Sequence, residues 1–283
     1  MNQLDFSDLK DKIAIITGGG GIIGRSMAMA LGSAGSRIVI LDLSMEAADK
    51  VAAEVSKKFQ TQCIAISANV LDRLSLLKAK DEINSRIGRI QLLINGAGGN
   101  HPTATTKKEF IDPDNLQNLE DTFFGLNLEG FRHVFDLNFM GTLLPTIIFS
   151  RDMVEDRSGV IVNISSMNSY RPLTKIPAYS AAKASINNFT EWLAVHLAKT
   201  GVRVNGIAPG FFLTKQNEFL LIDKKTDELT ERGNKILINT PMGKFGKPDD
   251  LQGTLLYLLS DISGFVTGVT VPVDGGFNAY SGV

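Results

Sequence analysis

Long apolar runs are missing from this 283-residue chain. None approaches the roughly 20 residues that a membrane-spanning helix requires, so no membrane partner is expected. Cysteine is nearly missing as well. Cys63 stands alone, which excludes an internal disulfide framework and a paired-cysteine zinc site and suits a reducing cytoplasm. Neither charge is in surplus. With 29 basic and 30 acidic residues, there is no field of one sign to gather nucleic acid or an anionic membrane. Histidines are too few to cluster round a metal, so none is expected. Met1 to Lys10 has no apolar h-region and does not read as a signal peptide. Internal repeats, low-complexity tracts and Pro/Ser-rich linkers are also lacking.

What recurs is a short β-branched run followed by a helical pattern. The runs are Lys12–Thr17, Arg37–Leu41, Cys63–Ser67, Gln91–Ile94, Gly159–Ile164, Arg203–Ala208 and Thr270–Val273. Apolar residues at helical spacing lie between them, such as Ala47, Val51 and Val55, or Leu74, Leu77 and Ile83. Continuous apolar strands alternating with helices predict an α/β fold, a doubly wound and mostly parallel sheet of about seven strands covered on both faces. With hydrophobic residues at 43%, residues 1–283 read as a single domain. Two polar, irregular segments interrupt the rhythm after strand ends, Asn100–Leu126 and Phe211–Thr240. Ligands of open α/β sheets bind beyond the carboxyl ends of strands, so both segments are expected to wall or cover a site.

The turn Thr17-Gly-Gly-Gly-Gly-Ile-Ile-Gly24 joins the first strand to the first helix. Glycines there let the backbone approach a pyrophosphate, and the helix N-terminus supplies free N–H groups. Asp42 ends the second strand. Its carboxylate can accept from adenosine ribose hydroxyls and would repel the 2′-phosphate of NADP, so NAD (NADH) is the expected cofactor.

Tyr179 and Lys183 are four apart in a helical stretch and share a face. A lysine cation beside the phenol would lower its pKa, so that it could exchange a proton near neutral pH. Ser166 lies 13 positions earlier, directly after a strand, where its hydroxyl could hold the reacting oxygen from a second direction.

Together these motifs resemble the short-chain dehydrogenase/reductase family over nearly the whole chain. The matching pieces are Thr17–Gly24, Asn95-Gly-Ala-Gly98, Asn138, Ser165-Ser166, Tyr179-x-x-x-Lys183, Pro209-Gly210 with Thr214, and Asp274-Gly-Gly276. The resemblance implies a Rossmann-type fold, an NAD(P)-dependent oxidoreductase and an Asn138-Ser166-Tyr179-Lys183 tetrad. In it Tyr179 is the acid/base and Ser166 the ligand of the substrate oxygen. Lys183 also holds the nicotinamide ribose, and Asn138 keeps a proton-relay water in place. The implied cofactor set is Gly18, Gly20, Gly21, Ile23, Gly24, Asp42, Asn69, Val70, Asn95, Gly96, Ala97, Gly98, Pro209, Gly210 and Thr214, with Tyr179 and Lys183. Three positions depart from the family pattern. Ile22 stands where a glycine is usual, with Gly20 and Gly21 expected to supply the flexibility. Asn69-Val70 replaces Asp-Val, and Gly96 replaces a second Asn, which puts one structural hydrogen bond in doubt.

The segments round the tetrad are polar and cationic rather than apolar. Arg171 and Lys175 suit an anionic group such as a carboxylate, and Asn100, His101 and Asn168 suit sugar hydroxyls. Fatty acyl or steroid substrates would call for a different lining. The stretches 95–106, 165–179, 209–214 and 274–283 resemble one branch of the family, the short-chain-type D-mannonate oxidoreductases (fructuronate reductases). That branch implies an anionic sugar acid as the small-molecule substrate. A 3-oxoacyl thioester reductase, a gluconate-type 5-dehydrogenase and a catalytically silent nucleotide-binding scaffold remain as alternatives. The family resemblance also implies a homotetramer, with the Phe277–Val283 tail at a subunit contact. Phe189, Trp192, Leu193 and His196 could face the core or an interface.

Overall fold

The computed structural model describes residues 5–214, 218–223, 226 and 228–282; side chains at 219 and 220 lie outside that description. Parts of the expected 211–240 segment, the first four residues and Val283 therefore fall outside it as well. Seven strands form one sheet: β1 (Ile13–Thr17), β2 (Arg37–Asp42), β3 (Cys63–Ser67), β4 (Leu92–Asn95), β5 (Gly159–Ile164), β6 (Val202–Pro209) and β7 (Thr270–Val273). Their order is β3-β2-β1-β4-β5-β6-β7, and every pairing is parallel. The strand runs expected from sequence match these bounds within a residue or so.

Strands of a sheet covered on both faces must be apolar at every position, and β1 shows why. Ala14 and Ile16 join one core cluster, Ile13 and Ile15 the other. The first cluster packs under α1 (Ile22–Ser33), α2 (Met45–Phe59) and a later helix at Gln252–Leu259. The second packs under α3 (Arg73–Arg86), with further helices at Gly141–Glu155 and Pro177–Leu197. Ser44 caps α2 by accepting from the Ala47 N–H at 3.3 Å, and Asp72 caps α3 through Leu74 at 2.8 Å. The buried stripe of α2 is Ala48, Val51, Ala52 and Val55. That of α3 is Leu76, Ala79 and Ile83. Leu74 and Leu77, which looked like part of the same stripe, are exposed. Spacing alone did not separate them from Leu76 in a leucine-rich turn.

After β4 the chain runs through 3₁₀ turns at Pro102–Ala104, Leu119–Asp121 and Phe123–Gly125 to α4 (Leu128–Phe135). A π-helical turn, Asp136–Met140, leads into α5 (Gly141–Glu155). The long α6 (Pro177–Leu197) follows β5; α7 (Glu218–Leu221), α8 (Glu231–Ile238) and α9 (Gln252–Leu259) complete the set. Phe189 and Leu193 are buried in the core, whereas Trp192 is 56% exposed and stacks on His196 at 4.8 Å. Neighbouring strands β1 and β4 leave the sheet in opposite senses, since β2 and β3 lie to one side and β5 to β7 to the other. The carboxyl ends of β1 and β4, paired at Thr17 and Asn95, thus mark the topological switch point where ligands bind in such sheets.

Candidate active site

The glycine turn sits at that switch point. Gly18 has φ of +65°, a left-handed conformation that disfavours a side chain. A Cβ on Gly24 would lie 2.5 Å from the Gly18 carbonyl oxygen and 2.7 Å from Gly19 Cα. Gly20 is packed for a different reason: a Cβ there would come within 2.7 Å of Ala47 Cβ and 3.0 Å of Asp42 Oδ2. The flexibility expected of Gly20 and Gly21 in place of Ile22 therefore lies at Gly18 instead. Gly21 is the N-cap of α1 with an extended backbone and no side chain. Ile22 and Ile23 begin the helix, with Ile23 packed against the core. A cradle that any Cβ would fill, opening on a helix N-terminus, fits a pyrophosphate.

Asp42 borders this cradle. Its Oδ2 accepts from the Gly20 N–H at 3.0 Å and its Oδ1 from the Ser44 N–H at 3.0 Å. Asn69 is exposed, with Oδ1 accepting from the Leu71 N–H at 2.9 Å, while Val70 is buried next to the start of α5. Thr17, which sequence reasoning treated only as the start of the turn, ties β1 to the loop after β4. Its Oγ1 accepts from Gly96 N at 3.1 Å and Ala97 N at 3.2 Å. A Cβ on Gly96 would lie 2.8 Å from the Thr17 carbonyl, so the departure from a second Asn matches the space available. Asn95 donates to Thr146 Oγ1 at 2.9 Å and Asn163 Oδ1 at 2.8 Å, bracing the buried middle of the sheet. Pro209 ends β6, Gly210 abuts Asp274 closely enough that a Cβ would sit 2.6 Å from its Cα, and Thr214 follows.

The four candidate catalytic residues converge next to the cradle. Ser166 caps the 3₁₀ turn Met167–Ser169 at the end of β5, where its Oγ accepts from the Asn168 N–H at 3.2 Å and lowers the pKa of the Tyr179 phenol. Pro177 starts α6 at a position where a missing N–H costs nothing, which places Tyr179 in the first turn and Lys183 one turn further along. Lys183 is 4% exposed; its Nζ donates to the Ile164 carbonyl at 2.8 Å and lies 5.6 Å from the centre of the tyrosine ring. Asn138 lies in the π-helical turn, fully buried. Its Nδ2 donates to the carbonyls of Gly99 and Val134, each at 2.7 Å, and its Oδ1 accepts from Gly99 N at 3.2 Å. Gly98 makes the convergence possible: a Cβ there would meet Asn138 Oδ1 at 2.6 Å and Lys183 Nζ at 3.3 Å.

The electrostatics differ from the sequence expectation in one respect. Burial pushes the Tyr179 phenol above its ordinary value, and the Ser166 hydrogen bond only tempers that rise. Burial pulls Lys183 itself down to about 7, and its ammonium points at a backbone carbonyl rather than the phenol oxygen.

The candidate substrate residues are less uniform. Asn168 is buried on the turn after Ser166. Asn100 is exposed and donates to Thr105 Oγ1 at 3.2 Å. His101 caps the turn Pro102–Ala104, contacts Thr103 Oγ1 at 2.8 Å and stands edge-on to His133. Arg171 is exposed and reaches the Asn278 carbonyl in the tail at 3.4 Å. Lys175 is half-buried; its carbonyl accepts from Thr106 N at 3.0 Å. Its charge also helps hold the Glu109 carboxyl low, though Lys235 contributes most through a 2.6 Å contact. The tail folds on its own chain, with Phe277 against Phe211 and Gly276 against Pro241.

Sequence reasoning missed Thr17, Gly99 and the Ser165–Asn187–Ser169 brace between β5 and α6. The adjacent glycines at 98 and 99 were the available signal for a close approach; the brace left none.

The model of the short chain dehydrogenase family matches residues 12–224. An uncharacterized oxidoreductase of Bacillus subtilis (strain 168) is 51% identical over 277 residues, 98% of each chain. An uncharacterized oxidoreductase of Haemophilus influenzae is 49% identical over 284 residues, covering 100% of this chain and 99% of the relative. Among solved structures, a Haemophilus protein provisionally called a D-mannonate oxidoreductase, with bound NAD, superposes with a TM-score of 0.93. It is 48% identical and covers 98% of this chain and 99% of its own. The likeness runs over nearly the whole chain, and the chain belongs to the short-chain dehydrogenase family of oxidoreductases.

Proposed function

We propose that this oxidoreductase uses NAD and interconverts a sugar-acid ketone and its secondary alcohol, with D-fructuronate and D-mannonate as the pair. The observation that carries the chemistry is the convergence of Asn138, Ser166, Tyr179 and Lys183 beside a pyrophosphate-shaped cradle. The name and bound NAD of the Haemophilus protein support the substrate and cofactor. Bound nicotinamide supplies or accepts the hydride. Gly18, Gly20, Gly21, Ile23 and Gly24 would hold the pyrophosphate, Asp42 would accept from the adenosine ribose, and Asn69 and Val70 would take the adenine. Asn95, Gly96, Ala97, Gly98, Pro209, Gly210 and Thr214 line the nicotinamide half. Ser166 donates to the substrate oxygen, Tyr179 gives it a proton or takes one, and Lys183 holds ribose hydroxyls next to the phenol. Asn138 keeps the loop at Gly99 in register with α5, so that a relay water can reach Lys183. Segment 100–126 and the described part of 211–240 would wall the substrate side. The direct experiment is NADH oxidation by the purified protein across keto-acid sugars, neutral ketoses and 3-oxoacyl thioesters. Preference for fructuronate supports the reading, and preference for a thioester contradicts it.

Asp42 makes cofactor choice testable. A carboxylate already held by two backbone N–H groups cannot turn away from a 2′-phosphate. We expect kcat/KM with NAD to exceed that with NADP by about tenfold or more, about 1.4 kcal/mol. Asp42→Ala is expected to narrow the gap by relieving repulsion, and equal values for the wild type would count against this role.

The cations at 171 and 175 should recognise the substrate carboxylate. An unpaired carboxylate in a desolvated site costs about 2–5 kcal/mol, so loss of its partner should cut kcat/KM for the acid sharply and spare a neutral ketose of similar shape. Because Arg171 also meets the tail, Arg171→Ala and Lys175→Ala are to be compared. Equal losses on charged and neutral substrates would make both cations structural.

Assembly as a homotetramer is part of the same reading. The exposed face of α6 at Trp192, with a cavity of about 600 Å³ bordered by Phe139, Ala184, Asn188 and Phe189, supports a subunit contact. Light scattering at micromolar concentration should give an oligomeric mass, and a monomer would refute it.

A further inference from the structure

Asn168 is only 7% exposed, and its amide oxygen has no hydrogen-bond partner among the described residues. Its neighbours in the turn are hydrogen-bonded. The Asn168 N–H donates to Ser166 Oγ at 3.2 Å. Ser169 Oγ donates to the Ser166 carbonyl at 2.6 Å and accepts from Asn187 Nδ2 at 2.8 Å. Ser165 Oγ in turn donates to Asn187 Oδ1 at 2.5 Å. A turn braced this firmly to α6 cannot shift easily to satisfy one remaining oxygen. Burying such an acceptor without a partner is costly, and native structures do so rarely.

We propose that Asn168 reads a hydroxyl on the carbon next to the reacting ketone, so that the enzyme takes α-hydroxy ketones as a class. The inference rests on the reading in which Ser166 and Tyr179 hold the reacting oxygen. The Asn168 N–H donates to the Ser166 oxygen, and the same residue carries the unpaired acceptor. Oxygens on adjacent carbons lie about one hydrogen-bond length apart, so a substrate whose ketone oxygen meets Ser166 carries its neighbouring hydroxyl towards Asn168. A hydroxyl both donates and accepts, and therefore satisfies the amide in either orientation. A substrate with a bare methylene there, as in a 3-oxoacyl thioester, leaves the amide unpaired and is rejected more strongly than its size would dictate.

The test compares D-fructuronate with its two analogues that each lack one hydroxyl next to the ketone, using wild type, Asn168→Ala, Asn168→Leu and Asn168→Asp. In the wild type one deoxy analogue should lose about tenfold or more in kcat/KM. Asn168→Ala should collapse that ratio to near unity whatever its overall rate. Asn168→Leu fills the same space without an acceptor and should do likewise, which guards against a variant that fails to fold. Asn168→Asp keeps an acceptor and should keep the preference. Tryptophan-quenching titrations with NADH should give the same dissociation constant for every variant, since the residue is assigned to substrate alone. No preference in the wild type, or a preference that survives Asn168→Ala, overturns the proposal. Acetoin and butan-2-one provide a parallel pair. Discrimination between them by an enzyme that ignores fructuronate would overturn the sugar-acid reading and sustain the role of Asn168, and indifference in both pairs would overturn that role.

Discussion

Tyr179→Phe is expected to lower kcat for ketone reduction by roughly a hundred- to ten-thousandfold, the span typical of a lost general acid. NADH affinity should stay near the wild-type value, because the substitution removes one oxygen and leaves the ring in place. The phenol is raised by burial and held by Ser166, so it carries its proton throughout the neutral range. That state serves reduction, in which the developing alkoxide must be protonated. Oxidation of the alcohol needs the phenolate instead and should rise with pH well beyond neutrality. Retention of more than a small fraction of kcat by Tyr179→Phe, with chemistry rate-limiting, would remove Tyr179 as the proton donor.

Lys183→Met should have the second-largest effect, and it should split activity from stability. One cation is assigned both the ribose and the phenol, so kcat and NADH binding should fall together, unlike the Tyr179 case. Stability should move the other way. Burial takes the lysine from 10.5 to about 7, so between those values the unfolded chain binds a proton that the folded chain does not. Stability therefore rises with pH across that window, and the cost of burying the charge is felt fully below pH 7. It is on the order of a few kcal/mol, larger than the loss of one hydrogen bond to the Ile164 carbonyl, about 1 kcal/mol. The cofactor-free Met variant should accordingly melt a few degrees above wild type at pH 6, with the gap closing towards pH 10. A variant that melts lower at pH 6 would show that Lys183 is a stabilising contact rather than a strained one.

The fold was legible because its physics is local. The central strands are apolar over most of their length since both faces are covered, and the longer helices such as α2 carry a stripe, so the succession of elements and the sheet type follow from the pattern. The glycines at 18 and 24 were legible as a cradle, but their separate reasons were not. Positive φ at Gly18 and crowding by Ala47 at Gly20 depend on which elements meet. Ser166, Tyr179 and Lys183 could be read from spacing on α6 and from the strand-end serine, whereas Asn138 came only with the family resemblance. The order of the site's electrostatics could not be read, because burial of Lys183 and its bond to Ile164 arise from packing between β5 and α6. Leu74 and Leu76 differ only in which way the helix turns on the sheet. The orphaned oxygen of Asn168 had no sequence signature, since an unmet acceptor is defined by everything that surrounds it.

The most direct measurement is the fate of the hydride. NADH labelled with deuterium at the transferring position of the nicotinamide, incubated with the enzyme and D-fructuronate, should yield D-mannonate with one deuterium on the new carbinol carbon. Tyr179→Phe should all but abolish that product. NADH left unconsumed, or a mannonate whose carbinol hydrogen comes from solvent, would contradict the account of this protein as a hydride-transferring sugar-acid oxidoreductase.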